Sequence, residues 1–331
     1  MATSSPTRGM VLGKFMPPHL GHLYLLDFAL NYVDELTIVV ETQRGQPVPG
    51  ELRYRWVCEM YPRANVVHLT DENPQDPSEH PDFWNIWKAS LTRILPHRPD
   101  FVFASEDYGW KLSEVLGATF VPVDIARGSV PVSGTAIRNE PLKHWTFIPR
   151  VVRPYFVKRV CVFGPESTGK STLTTDLARR FATVAVPEYA RTHLEAQGGI
   201  ISAADIPKIA RGQMATEDAL ALNADRVLFC DTDLLLTSIW SRWLYGSCPE
   251  WIESEAECRR YDLYLVTDVD VPWVGDSVRY LPEERRSFLE RCVGELERLG
   301  RRYVMVSGDW ETRLRAATKA VEELLKESGA S

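Results

Sequence analysis

Short, continuously apolar segments alternate with longer amphipathic segments along the whole 331-residue chain. A strand that is apolar at every position is typical of a parallel sheet covered by helices on both faces. Such segments occur at residues 10–12, 36–40, 66–67, 101–104 and 120–123, and again at residues 160–163, 184–186, 227–230, 263–266 and 303–306. The pattern therefore predicts an α/β fold with two doubly wound parallel sheets in series.

The boundary between the two series is predicted near residue 150. Residues 140–157 contain prolines and show weak periodicity, but Trp145, Phe147 and Tyr155 make them too apolar for a flexible tether. We expect a packed linker between a domain over residues 1–150 and a domain over residues 151–331. A second irregular segment, residues 71–82, contains three prolines and is a candidate cover for a site.

Composition and charge exclude several classes of protein. Hydrophobic residues make up 44% and charged residues 25% of the chain, as in ordinary globular proteins. The net charge is −7 and neither half is basic, which argues against binding nucleic acid or a membrane surface through bulk charge. No apolar run approaches the roughly 18 residues that span a bilayer. Lys14 and Pro17 interrupt any N-terminal signal sequence, so we expect a cytoplasmic protein.

The apolar segment at residues 160–163 leads directly into a complete phosphate-loop motif. Residues 164–171 match G-x-x-x-x-G-K-[ST] at every position, and an amphipathic helix pattern follows. In such a loop, backbone N–H groups converge on phosphate oxygens at the positive end of the helix. Lys170 is expected to reach the β- and γ-phosphates, and the Ser171 hydroxyl to bind Mg²⁺. The other residues expected to contact this ATP are Gly164, Glu166, Ser167, Thr168, Gly169 and Thr172.

Acidic residues follow two further predicted strands of the second half. Asp231 and Asp233 come after residues 227–230, where a carboxylate would hold or orient Mg²⁺. Glu188 follows residues 184–186 and is placed to accept the proton of a substrate hydroxyl. The sequence leaves open which of these carboxylates is the proton acceptor. The chain lacks the Asn-Lys-x-Asp signature of guanine binding, which disfavours a GTPase.

Residues 272–279, which contain tryptophan, aspartate and arginine, resemble a substrate contact that runs into a kinase lid. Arg285 and Arg286 follow, and lid arginines neutralise charge on a transferred phosphoryl group. The alternative is that residues 283–286 simply begin a solvated, charged helix. The substrate contacts expected in this half are Tyr189, Arg191, Trp273, Asp276 and Arg279.

The first half carries another candidate anion site, between its first strand and its first helix. His19 and His22 lie three residues apart where the helix begins, so both can face one anion beside the N-terminal N–H groups. Gly21 between them allows a nucleotide to approach closely. Residues 133–138, Ser-Gly-Thr-Ala-Ile-Arg, begin another helix and offer a second phosphate cradle with a charge-assisted donor in Arg138.

Residues 13–22 and 133–138 together resemble the H-x-G-H and S-x-T-x-x-R signatures of the nucleotidylyltransferase superfamily. Over essentially the whole chain, the sequence is similar to the bifunctional nicotinamide-mononucleotide adenylyltransferase/ribosylnicotinamide kinase family of the NadR type. Residues 105–109, 145–162 and 188–191 also support this resemblance. It implies a Rossmann-like nucleotidylyltransferase domain followed by a P-loop kinase domain.

The resemblance implies two consecutive reactions that use ATP and Mg²⁺. The second domain would phosphorylate the 5′-hydroxyl of nicotinamide riboside to give nicotinamide mononucleotide (NMN). The first domain would transfer the adenylyl group of a second ATP to NMN, giving NAD and pyrophosphate. Positioning and charge stabilisation would suffice in the first domain, because the phosphate of NMN is itself the nucleophile.

The resemblance also implies roles for residues of the first domain. His19 and His22 would hold the ATP phosphates, and Lys14 and Arg138 the charge of the departing pyrophosphate. Arg53 would bind the mononucleotide phosphate. Trp87, with Trp84 as its rival, would stack on the nicotinamide ring. The other expected ATP contacts are Gly13, Phe15, Gly21, Ser133, Gly134 and Thr135.

The best-known members of this family begin with a helix-turn-helix repressor domain. Here residues 1–8 precede the first motif, which is too few for a DNA-binding module, so we expect no DNA binding. Two alternatives to the bifunctional enzyme stay open. One is a nucleotide-sensing regulatory protein with weak or no catalysis, and the other is the same chemistry on a related pyridine nucleotide. A homo-oligomer is compatible with either.

Overall fold

All ten predicted strands are present in the computed structural model, which describes residues 5–274 and 283–329. The chain divides into two units between Val152 and Arg153. Each unit contains one five-stranded sheet whose strands pair in parallel. The predicted fold class is thereby confirmed. Within the described residues, no helix is both long enough and apolar enough to cross a bilayer.

The sheet of the first unit has the strand order β3-β2-β1-β4-β5. Its strands are β1 (Arg8–Gly13), β2 (Glu35–Glu41), β3 (Asn65–Leu69), β4 (Phe101–Ala104) and β5 (Thr119–Pro122). Its helices are α1 (Leu20–Tyr32), α2 (Gly50–Met60), α3 (Phe83–Ile94), α4 (Tyr108–Leu116) and α5 (Gly134–Asn139). The order reverses between β1 and β4, and in open α/β sheets ligands bind beyond the carboxyl ends of the strands at such a point.

Both faces of this sheet are covered, which explains why its strands are apolar at every position. On β1, Val11 packs in a cluster with Leu26 of α1 and Val57 of α2. The preceding residue, Met10, points to the other face, where it packs with Leu91 of α3 and Leu112 of α4. Successive side chains of a strand alternate between the two faces, so neither face tolerates polar residues here.

The sheet of the second unit has the strand order β10-β9-β6-β8-β7. Its strands are β6 (Lys158–Phe163), β7 (Ala185–Val186), β8 (Val227–Asp231), β9 (Leu263–Thr267) and β10 (Tyr303–Val306). Its helices are α6 (Arg153–Phe156), α7 (Lys170–Arg180), α8 (Tyr189–Ala196), α9 (Ile206–Ala221), α10 (Leu234–Tyr245), α11 (Glu250–Cys258), α12 (Arg285–Arg298) and α13 (Trp310–Gly329). The central strand, β6, ends at the phosphate loop.

The segment between the two sheets is irregular but not extended. It contains a short 3₁₀ helix, Trp145–Phe147, whose Trp145 side chain is 1% exposed. Ile148 is equally buried, whereas Tyr155 is 43% exposed. The expected packing of this stretch is therefore present at Trp145 and Ile148.

Candidate functional site

The phosphate loop of the second unit lies between the end of β6 and the start of α7. Gly164 and Gly169 both adopt positive φ angles, of 132° and 83°, which side chains rarely tolerate. A Cβ at Gly164 would lie 3.0 Å from the carbonyl oxygen of Thr267 on β9. Lys170 folds back over the loop, and its Nζ donates to the carbonyl oxygen of Pro165 at 2.8 Å. The Lys170 side chain thus contacts the backbone of its own loop.

The buried side chain of Arg313 supports the backbone of this loop through hydrogen bonds. Arg313 of α13 is 1% exposed and donates to the carbonyl oxygen of Thr168 at 2.8 Å. It also donates to the carbonyl oxygens of Gly308 and Asp268, at 2.9 and 3.0 Å. The role of Arg313 could not be predicted from the sequence, because Arg313 lies 145 residues from its partner in the loop, inside an ordinary amphipathic helix. No local spacing could reveal this contact.

Asp231 at the end of β8 faces the phosphate loop. Its side chain accepts a hydrogen bond from the Ser171 hydroxyl, and its Oδ1 is buried without a hydrogen-bond partner among the described residues. Burial, and then the nearby Glu188 carboxylate, raise the pKa of Asp231 to about 6, although Lys170 opposes this. A buried carboxylate oxygen that lacks a partner, next to a hydroxyl, suits a hard cation with oxygen ligands. The residues here therefore fit Mg²⁺.

Asp233 is not part of this arrangement, and the expectation that it binds Mg²⁺ is wrong. Its Oδ1 accepts the backbone N–H of Leu236 at 2.9 Å and so caps α10. Its Oδ2 accepts the Tyr264 hydroxyl at 2.8 Å. Both oxygens are thus occupied and the residue is 1% exposed. Asp233 lies two residues after Asp231, where β8 has ended and α10 begins. Its carboxylate therefore caps the helix.

A cavity of about 160 Å³ extends from the phosphate loop between α8, α9 and α10. Residues 166–172 line one end of it, together with Glu188 and Arg191. The other end is apolar and is lined by Leu194, Ile201, Ile206, Ile209, Leu236, Trp240 and Leu244. The cavity thus joins a phosphate site to a compartment that suits a flat, weakly polar ring.

Two other substrate residues predicted for this unit, Tyr189 and Trp273, are not among the described residues that line the cavity. The Tyr189 ring packs instead on Gly212 of α9, where a Cβ would lie 2.0 Å from its Cε1. The Trp273 ring lies under the Arg285 guanidinium, with Cζ 5.5 Å from the ring centroid. Both rings take part in packing between segments, and a role in substrate binding stays a prediction for each. Asp276 and Arg279 lie outside the described residues.

Val274 and Arg285 contact the phosphate loop directly. The Ser167 hydroxyl accepts the backbone N–H of Val274 at 2.8 Å. Arg285 donates to the carbonyl oxygens of Ser167 and Val271, at 3.3 and 3.1 Å. Arg286 pairs with Asp268 at 3.1 Å. Arg285 is therefore held against the phosphate loop, whereas Arg286 lies on the surface.

The first unit contains a larger cavity of about 860 Å³, which lies beyond the ends of β1 and β4. Predicted residues of both signatures line it: Gly13, Lys14, Phe15, His19, Gly21, His22, Ser133, Gly134, Thr135 and Arg138. The two signatures touch, because Arg138 donates to the carbonyl oxygen of Met16. A Cβ at Gly134 would lie 2.5 Å from that same oxygen. The structure thus brings together residues more than a hundred positions apart.

Two histidines with adjacent rings lie at the start of α1 and line the cavity. The His19 and His22 ring centroids are 3.8 Å apart, and His19 Nδ1 accepts the Gly21 backbone N–H at 3.1 Å. Burial, and then the charge of Arg127, lower the pKa of His19 to about 4. Burial, His19 and Arg127 also lower the pKa of His22. Both rings are therefore neutral near pH 7, and His19 carries its proton on Nε2, where it can be donated.

Arg53 was expected to bind a phosphate, but the structure contradicts this. The residue is 0% exposed and does not line the cavity. It donates to the carbonyl oxygens of Val48 and Glu41, at 3.1 and 3.2 Å, and also to that of Lys14. Because α2 directs this side chain into the interior of the unit, the guanidinium is hydrogen-bonded to backbone oxygens. Arg53 thus holds the chain at Lys14 in place.

Arg127 lines the same cavity and was missed by the sequence analysis. It pairs with Glu106 at 2.9 Å and lies in the irregular segment after β5, where no motif marks it. Trp84 and Trp87 both line the cavity, but Trp87 is 7% exposed and its Nε1 donates to the carbonyl oxygen of Pro74 at 2.9 Å. That bond anchors residues 71–82, of which Gln75, Asp76 and Pro77 reach the cavity.

Known proteins share both the sequence and the fold of this chain. The model of the AAA domain family matches residues 159–313. The chain is 31% identical to the Trifunctional NAD biosynthesis/regulator protein NadR of Escherichia coli (strain K12), and 30% identical to the protein of that name from Salmonella typhimurium (strain LT2). Each of these alignments covers 97% of this chain and 84% of the relative.

Two solved structures resemble the chain along its length. A crystal structure of NadR protein in complex with NR matches it with a TM-score of 0.80 at 26% identity, covering 96% of both chains. Another, of NadR protein in complex with NAD and AMP-PNP, matches with a TM-score of 0.77 at 25% identity, covering 97% of both chains. The similarity therefore extends over both units.

Proposed function

The chain belongs to the NadR family of NAD biosynthesis proteins, and from this membership we propose that it catalyses two consecutive ATP-dependent steps. The second unit phosphorylates nicotinamide riboside to NMN. The first unit transfers an adenylyl group from ATP to NMN and releases NAD and pyrophosphate. The observation that carries this proposal is that each unit forms its own cavity on its own phosphate motif. The complexes of related proteins with NR, and with NAD and AMP-PNP, support it.

In the second unit, the described residues suit transfer of a phosphoryl group to a hydroxyl. The ring of the nucleoside occupies the apolar end of the cavity, and its 5′-hydroxyl points toward Glu188. Glu188 lines the cavity and accepts the hydroxyl proton, whereas Asp231 is turned toward Ser171. Lys170 and Arg191 stabilise the charge that spreads over the transferred group. Ser171 and Asp231 would hold Mg²⁺, which supplies charge neutralisation on the ATP phosphates when bound.

In the first unit, catalysis needs no nucleophile from the protein. The phosphate of NMN attacks the α-phosphorus of ATP, and the P–O bond to pyrophosphate breaks. His19 and His22 donate hydrogen bonds to the phosphates beside the N-terminus of α1. Lys14, Arg127 and Arg138 surround the same cavity and stabilise the pyrophosphate as it leaves.

A direct assay tests this proposal. Purified protein with nicotinamide riboside, ATP and Mg²⁺ should form NMN and ADP first, and then NAD and pyrophosphate, as followed by chromatography. A parallel assay with nicotinate riboside and nicotinate mononucleotide identifies the preferred pyridine. Folded protein that binds ATP but forms none of these products would contradict the proposal and favour a nucleotide-sensing role.

A further inference from the structure

One side chain that lines the second cavity, Gln213, belongs to no motif and has no role in the reaction proposed above. Gln213 lies on α9, on the same helical face as Ile206 and Ile209, and all three line the cavity. Its side chain is 2% exposed. Gln213 therefore stands among residues of the apolar compartment, yet it brings an amide group to it.

The orientation of this amide is fixed by the start of the neighbouring helix. The backbone N–H of Tyr189 donates to Gln213 Oε1 at 2.8 Å. The oxygen is thereby assigned to α8, and the Nε2 group has to be the other end of the amide. Tyr189 directly follows Glu188, and the Glu188 side chain lines the same cavity as Gln213.

The other end of the amide is not paired. Gln213 Nε2 is buried and has no hydrogen-bond partner among the described residues. A buried amide without an acceptor is costly and uncommon in folded proteins, so such a group calls for a ligand or a water molecule. A buried donor that lines the cavity is thus left unsatisfied among the described residues.

We propose that Gln213 is a specificity-determining residue of the kinase site, which donates a hydrogen bond from Nε2 to an uncharged acceptor oxygen of the nucleoside substrate. This inference rests on the proposed kinase function and deepens it. Two oxygens fit the chemistry: a hydroxyl of the ribose, which lies near Glu188, and the carboxamide oxygen of the pyridine ring. A site that binds an oxygen through a buried donor rejects analogues that lack it, because the donor then stays unpaired.

The test compares Gln213→Glu and Gln213→Met with the wild-type protein. The glutamate variant retains an oxygen for the Tyr189 N–H but replaces the donor, and the methionine variant removes both groups at similar volume. Each should raise the KM for nicotinamide riboside by roughly tenfold, the effect of losing one hydrogen bond and stranding its acceptor. The KM for ATP, and the adenylyl transfer by the first unit, should stay unchanged. Ala215→Ser, at an exposed position of the same helix, serves as the matched control.

Substrate analogues separate a direct contact from a structural effect. Wild-type and variant proteins are assayed with 2′-deoxy and 3′-deoxy nicotinamide riboside and with a pyridinium riboside that lacks the carboxamide. The analogue without the recognised oxygen should be used about equally by wild-type and variants, which identifies that oxygen. If the wild-type protein uses all three analogues as well as the parent, or if no analogue removes the difference between proteins, the inference is wrong. If no pyridine nucleoside is phosphorylated at all, the proposed function fails and this inference falls with it.

Discussion

Asp231 and Asp233 follow the same strand, but their surroundings give them different roles. Asp233→Ala removes the cap of α10 and leaves the Tyr264 hydroxyl without its acceptor, which should lower the free energy of unfolding of the second unit by about 3 kcal/mol. Asp231→Ala removes a carboxylate with an unpaired oxygen, so it should leave stability nearly unchanged and lower the kinase kcat by roughly 100-fold or more. Urea unfolding and kinase assays of both variants measure these effects.

A different result for Asp233→Ala would contradict the structural role of Asp233. If Asp233→Ala abolished the kinase activity while the protein kept its stability, Asp233 would act at the reaction centre rather than at the helix start. Neither outcome depends on the first unit, whose adenylyl transfer provides a reference activity in the same preparation.

The same pair shows what sequence can predict about a single residue. Positions within a contiguous motif, such as Lys170 and Ser171, could be predicted to line a cavity because the loop fixes their geometry. The roles of Asp233, Arg53 and Arg313 could not, because each depends on a partner that a local pattern does not contain. A charged residue near a motif can bind a ligand if its side chain faces the cavity after folding. It supports the backbone if its side chain faces the interior of the protein.

The pKa values of the histidine pair predict that acid destabilises the first unit. Folding lowers the pKa of His19 from 6.5 to about 4, so the unfolded chain binds its proton more tightly than the folded protein. The stability linked to His19 is fully present above pH 6.5 and is lost as the pH falls toward 4. Between pH 7 and pH 5 the loss is about 2 kcal/mol from this residue.

His19→Asn tests this pH dependence. Asparagine can still accept the Gly21 N–H at the start of α1, but it does not titrate. Denaturant unfolding at pH 7 and pH 5 should show a smaller acid-induced loss in the variant, by about 2 kcal/mol. Equal losses in both proteins would show that His19 is not neutral in the folded state.

At the scale of elements, the contact between α5 and the segment after β1 holds the first cavity together. In Gly134→Ala, the new Cβ would meet the carbonyl oxygen of Met16 at 2.5 Å, and backbone cannot yield as a flexible side chain does. The two signatures would be pushed apart, and adenylyl transfer should fall by roughly tenfold or more. Kinase activity should be unchanged.

Gly128→Ala provides the matched control for this substitution. A Cβ there has the Asp124 side chain at 3.8 Å as its one neighbour within 4 Å, an ordinary contact. Both activities should therefore stay near those of the wild-type protein. If Gly134→Ala behaved like Gly128→Ala, the close approach of α5 would not matter for the reaction.

The strands of both sheets could be predicted from the sequence better than the cavity of the second unit. Strands such as β1 were found because both of their faces are buried, which leaves an uninterrupted apolar segment. The apolar compartment formed by α8, α9 and α10 was not predicted. Leu194 and Ile209 follow the same amphipathic pattern whether they fill a core or line a cavity. The pattern of residues predicts which face of a helix is apolar, but the residues that this face contacts depend on the packing of the whole unit.

At the scale of the whole molecule, each cavity is built within one unit. The described residues that line the first cavity all lie between Val11 and Arg138, and those that line the second lie between Glu166 and Leu244. A substitution in one site should therefore leave the other intact. His22→Ala should abolish adenylyl transfer and retain kinase activity, and Lys170→Ala should do the reverse.

Mixing these two variants tests whether the reactions are separable. Supplied with nicotinamide riboside, ATP and Mg²⁺, His22→Ala should accumulate NMN, and Lys170→Ala should form no NMN or NAD. The mixture should form NAD, because NMN released by one protein can enter the adenylyl transfer site of the other. The rate should rise with the concentration of both variants, and added NMN should restore NAD formation by Lys170→Ala alone. If each variant kept its remaining activity but the mixture formed no NAD, the NMN made by one chain would not be released for use by another.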